Sequence, residues 1–342
     1  MKAAVYRTYG PPEVVSIEDR PCPRIGDNDV LIRVHATTVS SGDWRLRTLT
    51  VPAGLGLAMR LFAGLRKPRQ PVLGTELSGL VVDRGKGVTD WDPGDRVVAF
   101  PGAKMGAHAE YVAMPADGCL AHKPGGLSFG EAAAIPFGGL TALEFLRDKG
   151  RLQAGERILI VGASGAVGSA AVQLAAHFGA HVTGVCSGEN AGLVRSLGAE
   201  RVIDYRREDF ARGRERFDMI LDTTASAPWT RVRHMLTPKG RLVIVSSSAR
   251  DMLRAAVNRR VIGGVSSGSH KGLRHLVRLV EDGAFFPLVD RIYPFEHIVR
   301  AHAHVDSGRK KGAVVLSIIP DISRRGPAAG SADTHRAQSL RA

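Results

Sequence analysis

Arg157-Ile-Leu-Ile-Val-Gly162-Ala-Ser-Gly165-Ala-Val-Gly168 decides how this chain folds. A short apolar run leads into a glycine-rich turn, and a helix is expected directly after it, from Ser169 to Phe178. Without a Cβ, Gly165 lets a ligand come close to the backbone, and Gly168 lets the helix pack against the strand. The first-turn N–H groups beside Ser164, Ala166 and Val167 then face an anion such as a diphosphate. His181-Val-Thr-Gly-Val185 follows at the spacing of a βαβ unit. That context favours a dinucleotide cradle over a glycine turn with no ligand.

The end of the second strand bears on which dinucleotide enters. An NAD site places Asp or Glu there to accept from the ribose 2′-hydroxyl. This chain has Cys186-Ser187-Gly188 instead. A small hydroxyl leaves room for a 2′-phosphate, so NADP is favoured, with Ser187, Asn190 and Tyr205 as donors and Arg206 or Arg207 as added charge. Glu189 runs against that reading, and ordinary turn chemistry is the other account of Ser187.

The chain has 342 residues, 44% hydrophobic and 23% charged, enough for two ordinary globular domains. Cys22, Cys119 and Cys186 have neither metal-ligand nor redox spacing, which suggests reduced thiols and a cytoplasmic protein. The start does not read as a targeting segment, and no apolar run reaches spanning length. The net charge of +14 is uneven: residues 231–280 hold eleven Lys/Arg against one acid, Asp251. An anionic substrate handle, an acidic lipid surface or non-specific nucleic-acid contact would each use it. We favour a solvated basic surface, since no nucleic-acid motif or aromatic series accompanies the charge.

Residues 1–125 read as short strands punctuated by turns, a compact barrel-like domain: Lys2–Tyr6, Val14–Glu18, Asp29–Val39, Glu76–Val82 and Arg96–Phe100. Ser128 is a candidate cap for a helix beginning at Phe129. Strands then alternate with helices over 126–265, the pattern of a doubly wound parallel sheet. A helix at Gly272–Asp282 and strands at Val289–Tyr293 and Ala313–Ile319 follow. The tail 321–342 has the composition of a disordered segment. The class is α/β.

Several segments carry a family resemblance: Pro71-Val-Leu-Gly-Thr-Glu-Leu-Ser-Gly79, Pro93-Gly-Asp-Arg-Val97, His108-Ala-Glu-Tyr-Val112, Ala132-Ala-Ala-Ile-Pro136, Gly139-Leu-Thr-Ala142, the glycine loop and Val202-Ile-Asp-Tyr205. Together they resemble the medium-chain dehydrogenase/reductases, in their zinc-independent, zeta-crystallin-like quinone oxidoreductase branch. The resemblance implies a GroES-like catalytic domain, completed by 266–320, beside a Rossmann domain. It also implies a homodimer through edge strands near Val261–Ser266. Where zinc-dependent relatives place Cys and His, this chain has Ser40 and Thr75, so no metal is expected. His297, His302 and His304 read as surface residues of a terminal helix.

Without a Lewis acid, hydride transfer from NADPH suits acceptors that are already electrophilic: quinones and α,β-unsaturated carbonyls. Ser40, Asp43 and Trp44 are the catalytic candidates, with Asp43 more readily a loop-orderer than a base. Thr141, Ser246 and Lys311 are further cofactor candidates; backbone bonding is an equal account of Thr141. A reductase of enoyl thioesters and a non-catalytic NADPH-binding protein are the rivals. Val51–Leu65, apolar and followed by Arg66-Lys67-Pro68-Arg69, reads as a lid over a hydrophobic pocket, with weak peripheral membrane contact as the alternative.

Overall fold

The computed structural model describes residues 1–50, 54–246 and 248–319. Residues 51–53 of the Val51–Leu65 segment and the expected disordered tail at 321–342 lie outside the described residues.

A six-stranded, wholly parallel sheet forms around the glycine motif. Its spatial order is Arg201–Asp204, His181–Cys186, Arg157–Val161, Phe217–Asp222, Leu236–Ile244, Val261–Ile262. The first strand of the domain is therefore central, and the chain winds outward to both sides of it. The strand order reverses beside Arg157–Val161, which is where ligands bind in open α/β sheets. Alternation along that strand explains why it is apolar throughout. Ile158 and Ile160 join the core beneath the helix Ala166–His177, while Leu159 and Val161 join the opposite core with Ile220 and Ile244. A sheet covered on both faces needs hydrophobic residues in both phases.

The other large sheet has seven strands built on the long strand Asp29–Val39. Leu77–Arg84 pairs along it on one side; on the other, Tyr111–Pro115 takes its first half and Ala313–Ser317 its second. The chain thus returns from the nucleotide domain to complete the first sheet, and its returning strands begin at Val289. The preceding helix His270–Glu281 packs Leu273 and Leu276 into the nucleotide-domain core. The Lys2–Tyr6/Val15–Asp19 hairpin attaches through bridges at Ala3–Ala109 and Val5–Val72.

Three differences from the sequence reading have local causes. The glycine-motif helix begins at Ala166, three residues earlier than expected, because Gly165 takes the extended N-cap conformation itself. Ser41–Thr48 and Ala249–Val257 are helices that hydrophobic periodicity did not reveal; each opens on a Ser-x-x-Asp capping box, Ser40 with Asp43 and Ser248 with Asp251. His302 is not a surface residue: it is fully buried against His108, its ring nitrogens unpartnered, and burial holds it neutral by pushing its pKa well down. His297 is exposed, and His304 is half-buried with Nε2 2.6 Å from Asp290.

Candidate active site

A cavity of about 1110 Å³ lies along the strand-order reversal and reaches between the two sheets. Its floor is the glycine loop. Gly162 occupies the left-handed region at φ +83°, and Gly165 begins the Ala166–His177 helix with no side chain capping it. Ser164, Gly165, Ala166, Val167 and Gly168 all line the cavity. A Cβ at Gly165 would meet only the Gly162 carbonyl oxygen at 3.5 Å, an ordinary contact, so the fold itself does not demand glycine there. At Gly168 a Cβ would meet that same oxygen at 2.0 Å, so there the fold does demand it.

Ser187 and Asn190 line the second-strand end of the cavity, both buried. Asn190 Nδ2 donates to Ser164 Oγ at 3.2 Å and to Ser187 Oγ at 3.1 Å, tying the two loops together. Ser187 therefore accepts from Asn190 and keeps its own proton for a ligand. Asn190 Oδ1 is buried with no partner, an acceptor that a ribose hydroxyl would satisfy. Tyr205, Arg206 and Arg207 stand along the same edge. Arg206 is 3.1 Å from Glu189 in an exposed pair, and Arg207 is 3.6 Å from Asp204. Exposed pairs contribute at most about 1 kcal/mol, so Glu189 is a weak competitor for a phosphate arriving at Arg206. These groups fit a dinucleotide: an open glycine, uncapped helix N–H groups, an orphan acceptor and nearby cations.

At the other end, Lys311 and Lys310 line the cavity because Gly312 N donates to Ser164 O at 3.0 Å, holding the loop before Ala313–Ser317 against the glycine loop. Lys310 Nζ donates to Gly312 O at 2.7 Å. Burial pushes its ammonium down to about 8, opposed by Glu76 and Asp290. Trp44 and Phe137 wall this part of the cavity.

Ser40 and Asp43 sit just behind that wall. Asp43 Oδ2 accepts from Ser40 Oγ at 2.6 Å and from Ser40 N at 2.8 Å, and Asp43 Oδ1 accepts from Gly74 N at 2.8 Å. Both are buried, and neither lines the cavity. Their hydrogen-bonding capacity is taken up in fixing the helix Ser41–Thr48 that carries Trp44. Thr141 Oγ1 donates to Phe137 O at 2.7 Å, and Ser246 Oγ accepts from Arg45 Nη2 at 2.6 Å. Neither Thr141 nor Ser246 lines the cavity; they brace its walls.

Sequence reasoning did not single out Phe137, Lys310, or Thr223 and Thr224 after the fourth strand of the domain. The threonines had a signal, since the end of that strand borders the reversal point. Glu76 was also passed over. Its carboxylate accepts from Thr38 Oγ1 and, at 2.5 Å, from Phe137 N at the start of the helix Pro136–Leu143. Burial pushes it up to about 8 despite those two donors. The folded protein thus holds a proton here between pH 4.5 and about 8 that the unfolded chain has released. Stability attributable to this group therefore falls as pH rises through that window. Glu76→Gln should flatten the fall, checked by thermal melting at both ends of the window; an unchanged pH profile would mean that Glu76 ionises normally.

At the positions that resemble zinc-ligand sites, Ser40 lies in the capping box and the Thr75 hydroxyl is buried without a partner. Among the described residues no three His, Cys, Asp or Glu side chains converge to hold a metal ion.

Comparison with known proteins agrees with this architecture. Residues 26–124 match the alcohol dehydrogenase GroES-like domain and residues 197–316 the zinc-binding dehydrogenase family. The mouse (Mus musculus) mitochondrial NAD(P)H oxidoreductase RTN4IP1 is 31% identical over 93% of this chain and 89% of its own length. The chloroplastic NADPH-dependent alkenal/one oxidoreductase of Arabidopsis thaliana is 31% identical, covering 94% of this chain and 80% of the relative. The solved quinone oxidoreductase of Coxiella burnetii superposes with a TM-score of 0.83 at 29% identity, over 93% of this chain and 99% of that one. With a GroES-like sheet completed from the C-terminus, a reversal-point cradle and relatives that match nearly end to end, the chain belongs to the medium-chain dehydrogenase/reductase superfamily.

Proposed function

We propose that this protein is a zinc-independent reductase that transfers hydride from NADPH to a quinone or an α,β-unsaturated carbonyl. The observation that carries the reading is the second-strand end of the cavity, where the strand runs out into Ser187 and Asn190, and the nearby Glu189 is paired with Arg206. Relatives named for quinone and for alkenal/one reduction support the acceptor class. When bound, NADPH supplies the hydride. The chain's part is to hold the diphosphate on the Ala166–His177 helix, to exclude water with Trp44 and Phe137, and to keep a cation, Lys310, near charge that develops on an acceptor oxygen. Conjugated acceptors spread that charge themselves, which suits a site with serine and threonine at the zinc-ligand positions. The strand Val261–Ile262 ends the six-stranded sheet, and we read its outer edge as the seam of a homodimer.

Stopped-flow oxidation of NADPH and NADH against quinones, 2-alkenals and enoyl-CoA tests the proposal. The wild type should oxidise NADPH with the first two classes. Ser187→Asp should weaken NADPH roughly 100-fold through like-charge repulsion, while NADH changes little. A preference for NADH would remove the cofactor assignment. Turnover confined to enoyl-CoA, with steep salt dependence, would favour the thioester reductase. No acceptor-dependent oxidation would favour a binding protein without catalysis.

A further inference from the structure

Two short helices, one from each domain, meet beside the cleft with almost nothing packed on their outer sides. Gly56–Ala63 buries only Ala63, and Ala249–Val257 buries no residue at all. Their N-terminal ends approach each other: an added Cβ at Gly54, two residues before the first helix, would lie 2.7 Å from the Cβ of Ala249, the first residue of the second. Leu57, Leu61 and Phe62 are 70%, 52% and 55% exposed on the first; Leu253 and Val257, one turn apart, are 70% and 82% exposed on the second. Scattered apolar residues are normal on a surface, but a joint patch of this kind marks an interaction site.

The charge around the patch has one sign. From Gly54 to Thr75 the sequence contains four Lys/Arg and no acid, and the second helix lies in the basic 231–280 region. Arg66, Lys67 and Arg69 follow the first helix and are exposed, and none of them is in an ion pair among the described residues. The one acid of the second helix, Asp251, is held in the capping box by Ser248. Apolar side chains flanked by cations match the chemistry of an anionic bilayer surface, where the apolar groups enter the headgroup boundary and the cations meet lipid phosphate. A lid should close on the cofactor cavity, yet no residue from Gly54 to Leu65 lines it. No helix of the described residues is long and apolar enough to cross a membrane, so contact of this kind is peripheral.

We propose that the paired helices Gly56–Ala63 and Ala249–Val257 form a docking face for an anionic lipid bilayer. The full-length protein should float with vesicles of phosphatidylglycerol and phosphatidylcholine and not with phosphatidylcholine alone, and salt should release it. Phe62→Asp combined with Leu253→Asp should weaken vesicle binding roughly tenfold or more, while nucleotide binding and native mass in solution stay unchanged. A separate variant, Arg66→Glu with Lys67→Glu and Arg69→Glu, should give a loss of similar size without touching the apolar patch. Failure of the wild type to bind anionic vesicles, or equal binding by both variants, overturns the proposal. So does a fall in native mass in the Asp variant, which would make the face a contact between copies. Slower reduction of a water-soluble acceptor by that variant, in step with lost flotation, would make the patch a lid and overturn it as well.

Discussion

Gly165→Val should leave a folded protein that has lost NADPH, with affinity down roughly a thousandfold. The fold tolerates a Cβ at this position, since its sole near contact would be the Gly162 carbonyl oxygen at an ordinary 3.5 Å. The cofactor does not, because the added atoms stand where a diphosphate must reach the uncapped N–H groups of Ala166–His177. Two charge-assisted hydrogen bonds of about 2 kcal/mol each account for a loss of that size. Fluorescence titration with NADPH, paired with a melting curve, separates the two effects. Gly168→Ala is the control: its Cβ would fall 2.0 Å from the Gly162 oxygen, so that variant should lose stability first. Wild-type NADPH affinity in a folded Gly165→Val protein would move the cofactor elsewhere.

Asp306→Ala should lower stability by about 3 kcal/mol, a fall of roughly 4 °C in Tm for a chain of this size. Arg47 is wholly buried on the helix that carries Trp44, and its Nη2 donates to both carboxylate oxygens of Asp306 at 2.6 Å. Asp306 closes the helix Ile298–Asp306, so this pair fastens the returning C-terminal segment to the helix Ser41–Thr48. Removing the carboxylate leaves a buried guanidinium with the Gly10 carbonyl as its remaining acceptor and no counter-charge. Differential scanning calorimetry checks it; a Tm within a degree or two of wild type would mean that water reaches Arg47 and screens it.

Much of the fold was legible because the nucleotide domain repeats one device, an apolar strand ending in a small-residue turn. Arg157–Val161 and Asp29–Val39 have the boundaries read from sequence. The helix Ser41–Thr48 escaped because its sequence has little apolar periodicity, and Ala249–Val257, amphipathic but only nine residues long, is too short for its stripe to stand out. Their signal was in the caps. Ser40 was weighed as a catalytic hydrogen-bond donor and Asp43 as a loop-orderer ahead of a base; their three-residue spacing is that of two groups satisfying one helix terminus. Ser128 has the same spacing to Glu131, and it alone was read as a cap because a helical pattern followed.

Of the cofactor candidates, Ser164 to Gly168, Ser187, Asn190, Tyr205 and Lys311 all border the cavity at the strand-order reversal. Thr141 and Ser246 were not separable from lining residues by sequence. Whether a hydroxyl faces a cavity or its own helix depends on side-chain direction, which local patterns do not encode. Burial of His302 was likewise invisible, because it depends on the Ile298–Asp306 helix packing its inner face against His108.

The amide of Gly312 bonded to the carbonyl of Ser164 is a main-chain stitch between polypeptide segments that belong to different lobes. Elsewhere along the crevice Arg45 reaches Ser246 through side chains alone. The phosphate cradle is therefore braced from the other lobe by backbone, which side-chain substitution leaves in place.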